Sequence, residues 1–134
     1  MYRTVYNWNL AAETPCRKDI GLPTIGERRT LMKALIDEEH QELHDALEAE
    51  DLPKTVDALL DLVWVTLHGL MECGLRPDDV YEVWDEVKRA NESKVYGEGL
   101  PLRNDNGKIQ KPPGFCPPDI EGVLERLMEM RDAD

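Results

Sequence analysis

The chain has 134 residues, with 28 acids against 16 bases and a formal charge of −12. That length is enough to bury a core without staples, and the charge repels a polyphosphate backbone, which argues against general binding of DNA or RNA. Cys16, Cys73 and Cys116 are odd in number and show no C-x-x-C pairing, so free thiols in a reducing compartment are expected rather than a disulfide framework or a zinc knuckle. Met1-Tyr2-Arg3-Thr4 lacks a basic segment followed by an apolar run, and no apolar stretch reaches spanning length. A cytoplasmic protein with no membrane partner is the expectation.

Long segments of 3.6-residue period and few aromatic residues predict an all-α fold. Residues 1–13 carry Val5, Trp8 and Leu10 and suit a short helix or an extended arm. Pro15, Gly21, Pro23 and Gly26 mark a loop. Thr24-Ile25-Gly26-Glu27 reads as a capping box, from which a first long helix runs to about Glu50. Asp51-Leu52-Pro53 is a break and restart, with Asp51 as N-cap and proline tolerated in the first turn. A second helix follows to about Cys73, and Gly74 supplies its stop. Pro77-Asp78-Asp79 opens a third helix to about Val95, since acids suit the positive end of the dipole; Val80, Trp84 and Val87 define its inner face, with Asn91 and Lys94 turned the same way. The stretch from Gly97 to Pro118 is punctuated by Gly, Pro and Asn-Gly and reads as turns; a loop this long in a small domain is usually functional or disordered. Helical spacing resumes from Asp119 to Met130.

On a helical wheel the first long helix places Leu35, Glu42, Ala46, Glu39, Met32 and Leu43 within one arc of about 100°. Two carboxylates therefore sit on the face expected to be buried. The second helix is apolar almost all round, yet Asp57, Asp61, Trp64 and His68 share one stripe of it. Ionised carboxylates are costly to bury without a neutralising charge and repel each other when gathered. A hard divalent cation resolves both problems, and Mg²⁺ is commonly held by a few carboxylates together with waters and substrate phosphate oxygens. The plainer reading is a set of solvated acids, or of acids paired with Arg28, Arg29 or Lys33. His40-Gln41-Glu42-Leu43-His44 does not have the order of a zinc protease helix.

Glu38-Glu39-x-x-Glu42-Leu43, then Asp61-Leu62-Val63-Trp64, then Glu86-Val87-x-x-Ala90-Asn91-x-Ser93-Lys94 resembles the MazG-like all-α NTP pyrophosphatase superfamily, in the branch related to phosphoribosyl-ATP pyrophosphohydrolase and dimeric dUTPase. The tail from Asp105 to Asp119, with Lys108, Lys111 and Pro117-Pro118, resembles the same branch. The resemblance covers about residues 24–120; length and the order of elements predict one domain over 1–134, with an N-terminal arm (1–23), catalytic helices (24–95), an irregular loop (96–118) and a C-terminal helix (119–134). The resemblance implies a helical bundle completed by oligomerisation to a homodimer or homotetramer. It also implies Mg²⁺-dependent hydrolysis of an NTP or dNTP to the monophosphate and pyrophosphate. The family pairs E-x-x-E with E-x-x-D; here Ala58 stands three residues before Asp61, and Asp57, one turn before Asp61, is the natural substitute.

On this reading Glu39, Glu42, Asp57 and Asp61 hold metal, and Glu38 orients or deprotonates the attacking water. Asn91, Lys94, Lys108 and Lys111 take phosphate oxygens. Trp64 is a candidate wall for the base, against the plainer reading of a core residue. Two other functions compete: a helical interaction module without catalysis, suggested by Ala58, and a di-iron carboxylate bundle, which wants paired Glu-x-x-His motifs that this core lacks.

Overall fold

The computed structural model describes residues 1–24 and 26–133, and among these it contains five α-helices and no strand: α1 (Tyr2–Ala11), α2 (Glu27–Glu48), α3 (Leu52–Glu72), α4 (Pro77–Glu92) and α5 (Ile120–Asp132). The all-α expectation is met. The chain forms two compact units, Met1–Pro77 and Asp78–Asp134.

In the first unit, α2 and α3 form an antiparallel hairpin. Covered positions on α2 are Arg28, Met32, Leu35, Glu39, Leu43 and Ala46, and on α3 they are Thr55, Ala58, Leu62, Val65, Gly69 and Glu72. Spacings of three and four residues keep one stripe of each helix on the other. Small residues set how closely the helices approach: a side chain at Gly69 would come within 3.0 Å of the Met32 terminal methyl. At the open end of the hairpin Arg28 of α2 and His68 of α3 both reach the buried Glu72, with His68 Nε2 2.9 Å from Glu72 Oε1 and Arg28 forming an ion pair. A buried carboxylate held by two partners avoids the cost of an isolated charge.

The turn between α2 and α3 follows the expectation. Asp51 caps α3 by accepting from the Lys54 N–H at 3.0 Å, with Pro53 in the first turn. The start of α2 does not. Of the expected capping box, Ile25 lies outside the described residues, and the cap position belongs to Gly26, which makes no side-chain cap bond. Its φ of +108° turns the backbone into the helix without a cap, and Arg29 ties the incoming strand of chain by donating to the Pro23 carbonyl at 3.0 Å.

Residues 2–11 resolve as helix rather than arm. Val5 is buried, the Tyr2 hydroxyl donates to the Leu75 carbonyl at 2.7 Å, and Trp8 meets Trp64 of α3 edge to face at 5.7 Å. Gly74 ends α3 at φ +80°, where a side chain would strike the Asp19 carbonyl oxygen at 2.3 Å.

In the second unit, α4 carries Asp78 and Asp79 in its first turn and Arg89 near its end, as the helix dipole favours. Its covered stripe is Val80, Val83, Glu86, Val87 and Ala90. Trp84, expected on that face, is 62% exposed; it lies one step round the helix from the stripe that Ala90 closes. The helix ends at Glu92, three residues earlier than expected, where the chain enters turns. Within the turn segment a short antiparallel bridge joins Arg103 to Ile109, closed by Asn104 Oδ1, which accepts from the Asn106 and Lys108 N–H groups at 3.1 and 2.9 Å. α5 is capped by Asp119, which accepts from Gly122 N at 3.0 Å, and buries Val123 and Leu127. It is pinned to α4 at both ends: Glu86 accepts the Asp119 N–H at 2.8 Å, and Arg131 pairs with Asp79.

Candidate functional site

In the first unit the acids gather along the α2–α3 seam. Glu39 occupies a seam position, and its Oε2 is buried with no hydrogen-bond partner among the described residues. Burial first, then the negative charges of Asp61, Glu42, Glu38 and Asp57 in that order, hold its carboxyl above the ordinary value of 4.5. The four other candidate acids from α2 and α3 therefore lie within electrostatic reach of Glu39, one of whose oxygens lacks a partner among the described residues.

The wheel overstated how deeply they are buried. Glu42, Asp57 and Asp61 are exposed and Glu39 half-buried, because the covered stripe of α3 runs through Thr55, Ala58 and Leu62 and leaves the two aspartates on its flank. The neutralisation by Arg28 or Arg29 that a plainer reading allows is not realised: Arg28 is taken by Glu72 and Arg29 by the Pro23 carbonyl. Glu42 and Asp57 line one cleft of about 510 Å³ together with Asp45, Lys54 and Ala58.

Ala58 is buried at the seam. A carboxylate there would enter the helix–helix contact, whereas Asp57, one residue earlier, stands in the cleft beside Glu42. Lys54 is a neighbour that the motif reading missed. It sits in the first turn of α3, 3.9 Å from Asp51.

Among the described residues no three His, Cys, Asp or Glu side chains are drawn together as a closed metal site. The donor set nevertheless suits Mg²⁺, which dehydrates reluctantly and is bound by a few carboxylates, some through its waters, together with substrate phosphate oxygens rather than by a closed all-protein cage. A carboxylate oxygen with no partner among the described residues, on a carboxyl raised by burial and then by four neighbouring negative charges, is the complement of a hard cation.

Trp64 is half-buried against Trp8, so one edge of its ring serves the α1–α3 joint. His68 is the hydrogen-bonded interior histidine that its position on α3 suggests. His40 and His44 meet edge to face on the exposed side of α2, with Nε2 atoms 3.3 Å apart.

In the second unit three of the expected phosphate ligands converge. Lys94, Lys108 and Lys111 line one cleft of about 710 Å³ with Asn104, although up to seventeen residues separate them in the chain. Asn91 is fixed rather than free: its amide donates to the Val87 carbonyl at 3.0 Å and its Oδ1 accepts from Lys94 Nζ at 2.9 Å. Lys94 and Lys111 both lie over the ring of Phe115, at 5.3 and 5.5 Å from its centroid. Phe115 was not singled out by the sequence pattern, since a lone aromatic between Gly114 and Cys116 carries no periodicity.

Compared with known families, residues 22–91 match the family model for phosphoribosyl-ATP pyrophosphohydrolase. The match spans α2, α3 and most of α4, and includes Glu38, Glu39, Glu42, Asp57, Asp61, Trp64 and Asn91. No curated protein matches the chain.

Proposed function

Because the chain belongs to the phosphoribosyl-ATP pyrophosphohydrolase family, within the MazG-like all-α NTP pyrophosphatase superfamily, and is thereby a nucleotide pyrophosphohydrolase, we propose that it cleaves a nucleoside triphosphate. The substrate is an NTP or dNTP, the cofactor Mg²⁺, and the products are the monophosphate and pyrophosphate.

The observation that supports this most is Glu39 Oε2, buried without a partner among the described residues, on a side chain near the charges of Asp61, Glu42, Glu38 and Asp57. Glu39, Glu42, Asp57 and Asp61 would hold the cation. Bound Mg²⁺ supplies Lewis acidity and neutralises charge on phosphoryl oxygens. Glu38, exposed at the edge of the cluster, orients the attacking water and accepts its proton. The water oxygen bonds to the α-phosphorus, the bond from that phosphorus to the oxygen bridging to the β-phosphate breaks, and the electron pair leaves with pyrophosphate. In the second unit the cleft of Lys94, Lys108 and Lys111 suits phosphate oxygens held by point charge, with Asn91 holding Lys94 in place.

The exposed apolar side of α3, running through Leu52, Val56, Leu59, Leu60 and Val63, favours assembly with a second copy, as homodimer or homotetramer.

The test is incubation with each NTP and dNTP, and with phosphoribosyl-ATP, in Mg²⁺, followed by separation of products. Monophosphate and pyrophosphate should appear in equal amounts and EDTA should stop their release. Diphosphate with orthophosphate would overturn attack at the α-phosphorus, and cleavage of phosphoribosyl-ATP alone would overturn the substrate.

A further inference from the structure

We propose that the nucleobase of the substrate sits in an apolar cleft of the second unit walled by Phe115, and that Glu98 in that cleft selects bases carrying an amino donor. This rests on the nucleotide reading above and names the part of the substrate which that reading leaves open.

The cleft has a volume of about 640 Å³ and is lined by Leu100, Leu102, Pro112 and Phe115, with Arg89, Glu98 and Cys116 as its ionisable members. Such a size and an apolar lining with few polar groups are those of small-molecule sites. Phe115 also carries Lys94 and Lys111 against its ring, and both of these lysines line the basic cleft. One aromatic side chain therefore stands between an apolar cleft and a basic one. A nucleotide has the same division, with a flat base at one end, an anionic phosphate chain at the other and a sugar between. Inorganic pyrophosphate would satisfy only the lysines, and an apolar peptide side chain only the other side.

The polar members of the cleft narrow the choice of base. Arg89 is occupied, with bonds of 2.9 and 2.7 Å to the Glu86 carboxylate and one of 3.2 Å to the Pro117 carbonyl, while Ser93 Oγ donates to the Ala90 carbonyl at 2.8 Å and Cys116 Sγ to the Gly114 carbonyl at 3.7 Å. Glu98 is left to meet a ligand, and an ionised carboxylate only accepts hydrogen bonds. Guanine offers N1–H and an amino group, adenine and cytosine an amino group. Uracil and thymine present a single N–H flanked by two carbonyls, which a carboxylate repels.

Phe115 is the single phenylalanine of the chain, so ring-labelled phenylalanine gives one reporter in the full-length protein. The experiment titrates GMP, AMP, CMP and UMP without Mg²⁺ and follows the Phe115 ring signals by NMR, with inorganic pyrophosphate as the arm that fills only the lysine cleft. GMP should move the ring signals further than pyrophosphate does, and UMP should bind about tenfold more weakly, the effect of one hydrogen bond to a charged group. Glu98→Gln, which offers a donor as well as an acceptor, should narrow that gap, while Lys108→Ala should weaken all four nucleotides alike. Identical shifts from nucleotides and pyrophosphate, or a base preference that Glu98→Gln leaves unchanged, would overturn the proposal. Hydrolysis with a silent Phe115 removes this pocket and leaves the reaction standing. Ring shifts without hydrolysis of any nucleotide remove the reaction and leave the pocket.

Discussion

Glu39 concentrates the electrostatics of the first unit. Its carboxyl is held above 4.5 by burial and by four neighbouring acids, so its ionised form is disfavoured in the folded state. A group whose folded value is raised contributes stability at low pH and loses it as pH rises through that value. At neutral pH without metal, Glu39→Gln should therefore raise the melting temperature, and the gain over wild type should vanish below about pH 4.5, checked by thermal melts across pH. In Mg²⁺ the order should reverse, because the variant loses stabilisation by cation binding. Asp57 bears on the same cluster. If it takes the role of the acid absent at Ala58, Asp57→Asn should weaken the Mg²⁺ dependence and lower turnover at least about tenfold, some 1.4 kcal/mol of barrier, while the fold persists. An Mg²⁺ titration matching wild type, beside an inactive Asp61→Asn control, would leave three carboxylates to hold the metal.

The helices place these residues through their ends as much as their faces. Gly74 terminates α3 in a left-handed conformation directly beneath the Asp19 carbonyl. Gly74→Ala should cost about 1–3 kcal/mol from the backbone conformation, with more from displacing the Asp19 loop, measured as a lower urea midpoint. In the second unit the α4–α5 pair depends on Glu86. Its bonds from the Arg89 side chain and then from the Asp119 N–H depress its carboxyl from 4.5 to about 2. A depressed acid contributes stability above its unfolded value and loses it as pH falls through the folded one. Amide exchange at Asp119 should thus be slow at neutral pH and accelerate, beyond the intrinsic pH effect, between about pH 4.5 and 2. Glu86→Gln should show the faster exchange already at neutral pH.

At the scale of the whole molecule, α3 has one face on α2 and another that ends in water. Leu52 is 72% exposed and Leu60 58%, and with Val56, Leu59 and Val63 they form a stripe of the kind that marks an interaction surface. Light scattering should give a dimer or a larger assembly at micromolar concentration, and Leu60→Lys should dissociate it. A monomeric wild type would count against assembly through α3. Among the described residues no single helix is long and apolar enough to cross a membrane.

Much of this was legible in the chain itself. The four helices from α2 to α5, the Asp51 cap, the Gly74 stop and the grouping of acids on α2 and α3 follow from local rules, because capping, positive φ and 3.6-residue periodicity act over a few neighbouring residues, whereas for α1 they do not decide between a helix and an extended arm. The family, too, is carried by short ordered motifs on consecutive helices. Which positions of each helix are covered was decided only by tertiary packing. The seam through Ala58, Leu62 and Val65 moved Asp57 and Asp61 to the flank and made Glu72 rather than the motif acids the deeply buried carboxylate; in the second unit the stripe through Val80, Val83, Val87 and Ala90 left Trp84 outside it. Likewise, no local pattern announces that Lys94, Lys108 and Lys111 share a cleft or that Phe115 stands between two. Their meeting depends on the turn closed by Asn104 and on α4 ending at Glu92, and convergence of residues distant in sequence is a property of the folded backbone.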